Sequence, residues 1–111
     1  MTNSKNPERV FKALANSVRL EIIQLLSRRQ FCVKALVSMM NISQAAVSQH
    51  LKILENAGLV KKKKEGYWVH YTLAPEELEN SCVFLNKLLP RRELKINAER
   101  KKEKMRKGQR S

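Results

Sequence analysis

The chain has 111 residues and carries 23 Lys and Arg against 10 Asp and Glu, a net charge of +13. That length bounds it to one domain, and so large a cationic excess opposes compaction unless a polyanion offsets it: nucleic acid first, an anionic membrane surface second. Polar residues interrupt every apolar run well short of about 18 residues, which argues against a membrane span and sets the expectation of a soluble, cytoplasmic protein.

Residues 1–6 read as a flexible polar start. A first helix is expected from Pro7 to Ala15, with Val10, Phe11 and Leu14 as its apolar face. Asn16 or Ser17 then begins a second helix, Val18 to Ser27, whose Leu20, Ile22, Ile23, Leu25 and Leu26 are too many for one stripe and imply burial on several sides. A third, near Cys32 to Met40, carries Val33, Leu36, Val37 and Met40 at helical spacing. The short turn Asn41-Ile42-Ser43 has the length of a helix-turn-helix connection.

The next helix is the most informative. From Ser43, an expected N-cap, to Asn56, it places Val47, Leu51 and Leu54 on one stripe with Ala46 and His50 beside it, and Ala45, Ser48, Gln49 and Lys52 opposite. The outward set is short or amide-bearing, as entry into a DNA groove requires: an amide can pair with N6 and N7 of adenine, and an alanine methyl can touch a thymine methyl. Gly58 stands where a helix needs a left-handed residue, with Leu59 as the hydrophobic contact of that cap. A hairpin from about Leu59 to Leu73 follows, with Lys61-Lys62-Lys63-Lys64, a Glu65-Gly66 turn, Tyr67, Val69, Tyr71 and Leu73 sharing one face, and Trp68, His70 and Thr72 the other. A probing helix followed by a basic hairpin is a winged helix-turn-helix: a mainly α fold with a two-stranded wing, and double-stranded DNA as partner.

Pro75 opens a last helix with Glu76 and Glu77 in its first turn and Leu78, Cys82, Leu85 and Leu89 as an apolar seam, ended by Pro90. The organisation expected is thus residues 1–6 flexible, 7–90 the DNA-binding and dimerising domain, and 91–111 a basic tail, disordered or partly helical. That tail holds +7 of the total +13 and too few apolar residues to fold alone. The seam and the apolar face of the first helix exceed what a small core needs, and pairing with a second copy would bury both. A two-fold pair would also set two reading helices one DNA turn apart, roughly 34–36 Å, on an inverted repeat.

The chain resembles the ArsR/SmtB family of dimeric winged-helix repressors. The resemblance rests on Phe11-Lys12-Ala13-Leu14-Ala15-Asn16-Ser17-Val18-Arg19-Leu20, on Phe31-Cys32-Val33-Lys34-Ala35-Leu36, on Ser43-Gln44 with Val47-Ser48-Gln49-His50-Leu51, on Ala57-Gly58-Leu59-Val60, and on Gly66-Tyr67-Trp68-Val69-His70-Tyr71-Thr72-Leu73. It implies a homodimeric repressor that leaves its operator when an effector binds. It also implies Gln44, Ser48, Gln49 and His50 as groove-facing residues, Ser43 and Lys52 as phosphate neighbours, and Lys61, Lys62, Lys63 and Lys64 as wing contacts; for His50 a packed, hydrogen-bonded role is the alternative.

The sensing half departs from the family. Cys32-Val33-Lys34 stands where arsenic- and cadmium-responsive members have Cys-Val-Cys, and the last helix has Glu76, Glu77 and Glu79 but no histidine, so neither family metal site is intact and no metal or cofactor is expected. Two cysteines give no disulfide framework. Both remain candidate effector-sensing residues, for a thiol-reactive or metalloid effector. Cys82, within the seam, reads as a small buried hydrophobe. Cys32, near a helix N-terminus and close in sequence to Arg28, Arg29 and Lys34, reads either as a packed residue or as a redox or electrophile switch. No nucleophile–base pair argues for an enzyme. The competing reading is a basic RNA-binding or ribosome-associated module acting through its tail; a membrane-surface role lacks the apolar face it needs.

Overall fold

Residues 7–90 are described by the computed structural model; the expected polar start and basic tail lie outside the described residues. The elements are α1 (Pro7–Leu14), α2 (Ser17–Leu26), α3 (Val33–Met40), α4 (Gln44–Asn56), β1 (Val60–Glu65), β2 (Trp68–Leu73) and α5 (Pro75–Leu88). By its contacts the chain divides into Met1–Ser81 and Cys82–Ser111.

Caps in the sequence set the helix ends of the first unit. The Asn16 side chain accepts from the Arg19 N–H and starts α2, and the Ser43 hydroxyl accepts from the Ala46 N–H at 3.0 Å and starts α4. Between α3 and α4, Asn41 takes the left-handed conformation (φ 56°) that its short polar side chain tolerates. At the far end of α4, Leu59 N–H donates to Leu54 O at 2.9 Å and Gly58 N–H to Glu55 O at 3.0 Å, the paired bonds of a Schellman cap with Gly58 at its left-handed position. Leu54 and Leu59, the apolar pair that accompanies this cap, are both fully buried.

One core joins the elements of that unit. Val10 and Ala13 of α1, Ile22 and Leu26 of α2, Leu36 of α3, and Val47, Leu51 and Leu54 of α4 close around Phe31, Leu59, Val60 and Tyr71. Removing each large apolar side chain from water contributes about 1.5–3 kcal/mol. The wing is tied to the rest by its backbone: Phe31 and Tyr71 exchange N–H···O bonds of 3.1 and 2.8 Å, so the residue before Cys32 is stitched onto β2.

Several expectations need correction. Tyr67 does not share a face with Val69, Tyr71 and Leu73, and the turn is not Glu65-Gly66. β1 and β2 pair from Val60↔Leu73 to Glu65↔Trp68, leaving Gly66-Tyr67 as a two-residue loop. The positive φ of Gly66 alone is the pattern of a type II′ turn, and it puts Tyr67 at the tip. Leu20 is exposed, while Ile22 and Leu26 are buried and Val18, Ile23 and Leu25 pack partly against the core, so α2 is covered over a broad face that leaves out Leu20. On α5, Ser81 is the buried residue and Leu78 packs partly on the core. In the single chain Cys82, the next residue, is exposed; the burial expected of it belongs to a seam covered by a second copy. α5 ends at Leu88, ahead of Pro90, whose ring disfavours helical backbone at the residue before it.

The Gly58 cap yields a stability prediction. A Cβ there would lie 2.9 Å from Glu77 Cγ while φ is +78°. Gly58→Ala should therefore lose about 1–2 kcal/mol of unfolding free energy in urea titrations, and adding Glu77→Ala should restore only the steric part. Equal stability of Gly58→Ala and the parent chain would contradict this account of the cap.

Candidate nucleic-acid interface

α4 presents one polar face because its opposite face is fixed. Val47, Leu51 and Leu54 are fully buried, and at 100° per residue this turns Gln44, Ala45, Ser48, Gln49 and Lys52 outward, all five exposed. Ser43 is exposed beside them, its hydroxyl engaged in the cap. No carboxylate lies among these outward positions, so the face offers amides, hydroxyls and an ammonium. The wing adds Lys61, Lys62, Lys63 and Lys64, all exposed. One compensating contact is present: Lys63 Nζ lies 3.9 Å from Glu65 Oε2, both side chains more than half exposed, a pairing worth little in solvent.

His50 stands apart from that group. It is half-buried at the edge of the apolar stripe, and its Nδ1 lies 3.2 Å from Arg19 Nη1. A guanidinium only donates, so Nδ1 accepts and the neutral ring carries its proton on Nε2. Burial first, and the Arg19 charge second, hold this imidazole below its ordinary value of 6.5. The ring thus docks α4 against α2 through one edge.

Arg19 was not singled out by the sequence pattern, yet it joins three helices. Its Nε donates to Ala13 O at 2.5 Å and its Nη2 to Lys12 O at 3.4 Å, two carbonyls at the end of α1, the second shared with the Ala15 N–H. Arg9 performs a parallel task, donating to Asn56 O at the end of α4, where a cation also suits the helix dipole. α4 is therefore held at mid-length by Arg19 through His50, and at its end by Arg9. Arg19 stands in the first turn of α2, and only its surroundings, unseen in the sequence, reveal this role.

Cys32 is the N-cap residue of α3, half-buried and without a side-chain capping bond. The neighbouring Arg29 guanidinium stacks on the Phe31 ring, 4.1 Å from its centroid. Among the described residues no group of three or more His, Cys, Asp or Glu could hold a metal ion, and no helix there is long and apolar enough to cross a membrane.

A core of four helices that includes a helix-turn-helix, with a two-stranded wing, defines the class: a winged helix-turn-helix protein. Comparison with known proteins narrows it. Residues 16–62 match the family described as "Bacterial regulatory protein, arsR family". The chain is 40% identical over 87 residues to the arsenical resistance operon repressor of Bacillus subtilis, covering 72% of this chain and 83% of that protein. The solved structure of HlyU from Vibrio cholerae is similar with a TM-score of 0.63 at 36% identity, over 79% of this chain and 97% of the other. A homodimeric winged helix-turn-helix DNA-binding domain from Mycobacterium bovis, a possible ArsR-family transcriptional regulator, gives a TM-score of 0.60 at 30% identity, over 72% and 76% of the two chains. The chain belongs to the ArsR family of bacterial regulatory proteins.

Because the folded state disfavours protonated His50, its neutral contact with Arg19 is fully present above 6.5 and is lost as pH falls through the lowered folded value. Unfolding midpoints in urea at about pH 7.5 and about pH 5 should therefore fall more for the parent chain than for His50→Gln. An identical drop in both would remove His50 from the acid response.

Proposed function

We propose that this chain is a transcriptional repressor that binds an inverted-repeat operator as a homodimer, reading bases with α4 and gripping phosphates with the wing. The observation that carries the reading is the outward face of α4: Gln44, Ser48, Gln49 and Lys52, exposed and free of acidic residues, backed by an apolar stripe that leaves the helix no other orientation. Gln44 and Gln49 supply the amides that distinguish bases, Ser43 and Lys52 neighbour the phosphates, and Lys61 to Lys64 neutralise the backbone beside the groove. His50 contributes by seating the helix. Dimerisation is supported by Val83, Leu85, Leu88 and Leu89, exposed apolar residues at the end of the chain's last helix and just beyond it, and by the homodimeric state of the Mycobacterium bovis domain.

Effector response runs through Cys32 in this reading. A soft electrophile such as an alkyl halide would form an S–C bond at its sulfur as the carbon–halogen bond breaks, releasing halide and the thiol proton to water. The sulfur sits at the N-cap of the first helix of the helix-turn-helix, one residue from the Phe31–Tyr71 bridge. A bulky cap there would strain the joint between α3 and the wing. Cys82, exposed on α5, is the second thiol, and a metalloid bridging thiols of two subunits is the alternative chemistry at these same residues.

Fluorescence anisotropy on duplex DNA from upstream of the gene tests the reading. Gln49→Ala should cut discrimination between that duplex and a scrambled one by about 5–150-fold, the worth of a bidentate base contact. Lys62→Ala with Lys63→Ala should weaken both duplexes alike and flatten the salt slope by about 1–2. If the two variants behave alike, the division between reading and anchoring fails. Treatment with an alkylating electrophile should lower operator affinity by about 5–150-fold in the parent chain and leave Cys32→Ser bound; loss of binding in both would take the response away from Cys32.

A further inference from the structure

Residues of α1, α2 and the end of α4 enclose a groove of about 310 Å³, at the lower end of the roughly 300–1,000 Å³ typical of small-molecule sites. Its floor is apolar, made by Ala13 of α1 and by Ile53 and Ala57 at the end of α4. Ile53 is exposed there, although Val47, Leu51 and Leu54 of the same helix are fully buried. The rim is cationic: Arg9, Lys12 and Arg19, with no carboxylate among the described residues that line the groove. None of these residues belongs to α5, whose exposed apolar side chains support dimerisation.

Two features of the rim leave it open to an anion. Lys12 Nζ lies 3.4 Å from Glu8 Oε2 with both side chains mostly exposed, a contact that solvent screens and an anion readily replaces. Arg19 donates to Ala13 O, Lys12 O and His50 Nδ1, and a guanidinium carries further N–H donors. An inorganic anion would meet these donors but leave the apolar floor in water. A neutral hydrocarbon would cover the floor while stripping water from three cations, a cost larger than the gain. A small molecule with a carboxylate at one end and a short apolar chain at the other satisfies both. The neighbouring cleft that shares Arg9 is lined by Glu55 and Glu77, so it disfavours the same headgroup.

We infer that this groove binds a small amphipathic monocarboxylate, its chain on Ala13, Ile53 and Ala57 and its carboxylate among Arg9, Lys12 and Arg19, and that occupancy lowers affinity for DNA. The site stands on the groove alone, while its effect on DNA rests on the operator-binding reading. Two physical consequences produce that effect. The carboxylate competes for Arg19 and Arg9, the residues that hold α4 at mid-length through His50 and at its end through Asn56 O. It also places a negative charge beside Ile53, one position from Lys52, well inside the Debye length of about 8 Å from the helix that meets the phosphates. Neither consequence involves a thiol, so this response is separate from the chemistry at Cys32.

Isothermal titration of the full chain without DNA tests the site, using octanoate below its micelle-forming range, with octanol and inorganic phosphate as the neutral and the apolar-free probes. Octanoate should bind, and each of the other two at least roughly tenfold more weakly. Lys12→Glu and Ile53→Ser should each weaken octanoate by roughly tenfold, whereas Arg28→Glu, the same charge change at the exposed far end of α2, should not. Anisotropy on the upstream duplex then tests the consequence: octanoate should lower affinity by about 5–150-fold in the parent chain and in Cys32→Ser, and much less in Ile53→Ser. No octanoate binding, octanol or phosphate binding equally well, or Ile53→Ser binding octanoate like the parent overturns the inference and leaves operator binding standing. Lys12→Glu that weakens duplex binding in a chain indifferent to octanoate overturns it too, and assigns the rim to DNA phosphates. Octanoate bound with duplex affinity unchanged overturns the proposed effect on DNA. Octanoate bound by a chain that holds no duplex overturns the operator reading instead and supports the site.

Discussion

Everything at the interface depends on the burial of Val47, Leu51 and Leu54. These three side chains are fully removed from water, and together they contribute on the order of 5–9 kcal/mol of transfer free energy, comparable to the whole net stability of a small domain. Rotating α4 to present another face would expose them and bury Ser48, Gln49 and Lys52 without partners. The polar face is therefore outward by necessity, and the amides on it are positioned by the core rather than by contacts of their own.

Fine adjustment comes from a few polar contacts around that core. Arg19 reads the end of α1 through two carbonyls and touches α4 through His50, while Arg9 holds the last turn of α4. At the other end of the motif the Phe31–Tyr71 bridge ties the approach to α3 onto the wing. The reading helix and the gripping hairpin are thus linked to the same small set of helices, and a disturbance at Cys32 meets the wing within one residue. In the proposed reading, such an arrangement would let a local chemical event alter how α4 and the wing sit together, with no need for a large rearrangement.

Much of this was legible in the sequence because the signals were local. Apolar residues at helical spacing, Ser43 and Asn16 as caps, Gly58 after the recognition helix and the lysine run each act over a few residues, and the helices fall within a residue or two of their expected ends. What escaped depends on registers and on distant partners. Grouping Tyr67 with Val69, Tyr71 and Leu73 followed from a Glu65-Gly66 turn, whereas the loop is Gly66-Tyr67, and a shift of one residue changes which side chains share a face. On α5 the i, i+4 step from Leu78 marks Cys82 as part of an apolar seam, while the residue that the single chain itself buries is Ser81, at i+3. Arg19 bonds across 31 residues of sequence to His50, a distance no periodicity reports.

The central claim is that two copies of α4 enter successive major grooves. Dimethyl sulfate footprinting on the upstream duplex tests it most directly, since guanine N7 lies in the major groove. Two symmetry-related protected patches centred about 10–10.5 base pairs apart, with unprotected major groove outside them, are the expected pattern. Uniform or absent N7 protection along a duplex that the protein demonstrably occupies would contradict it.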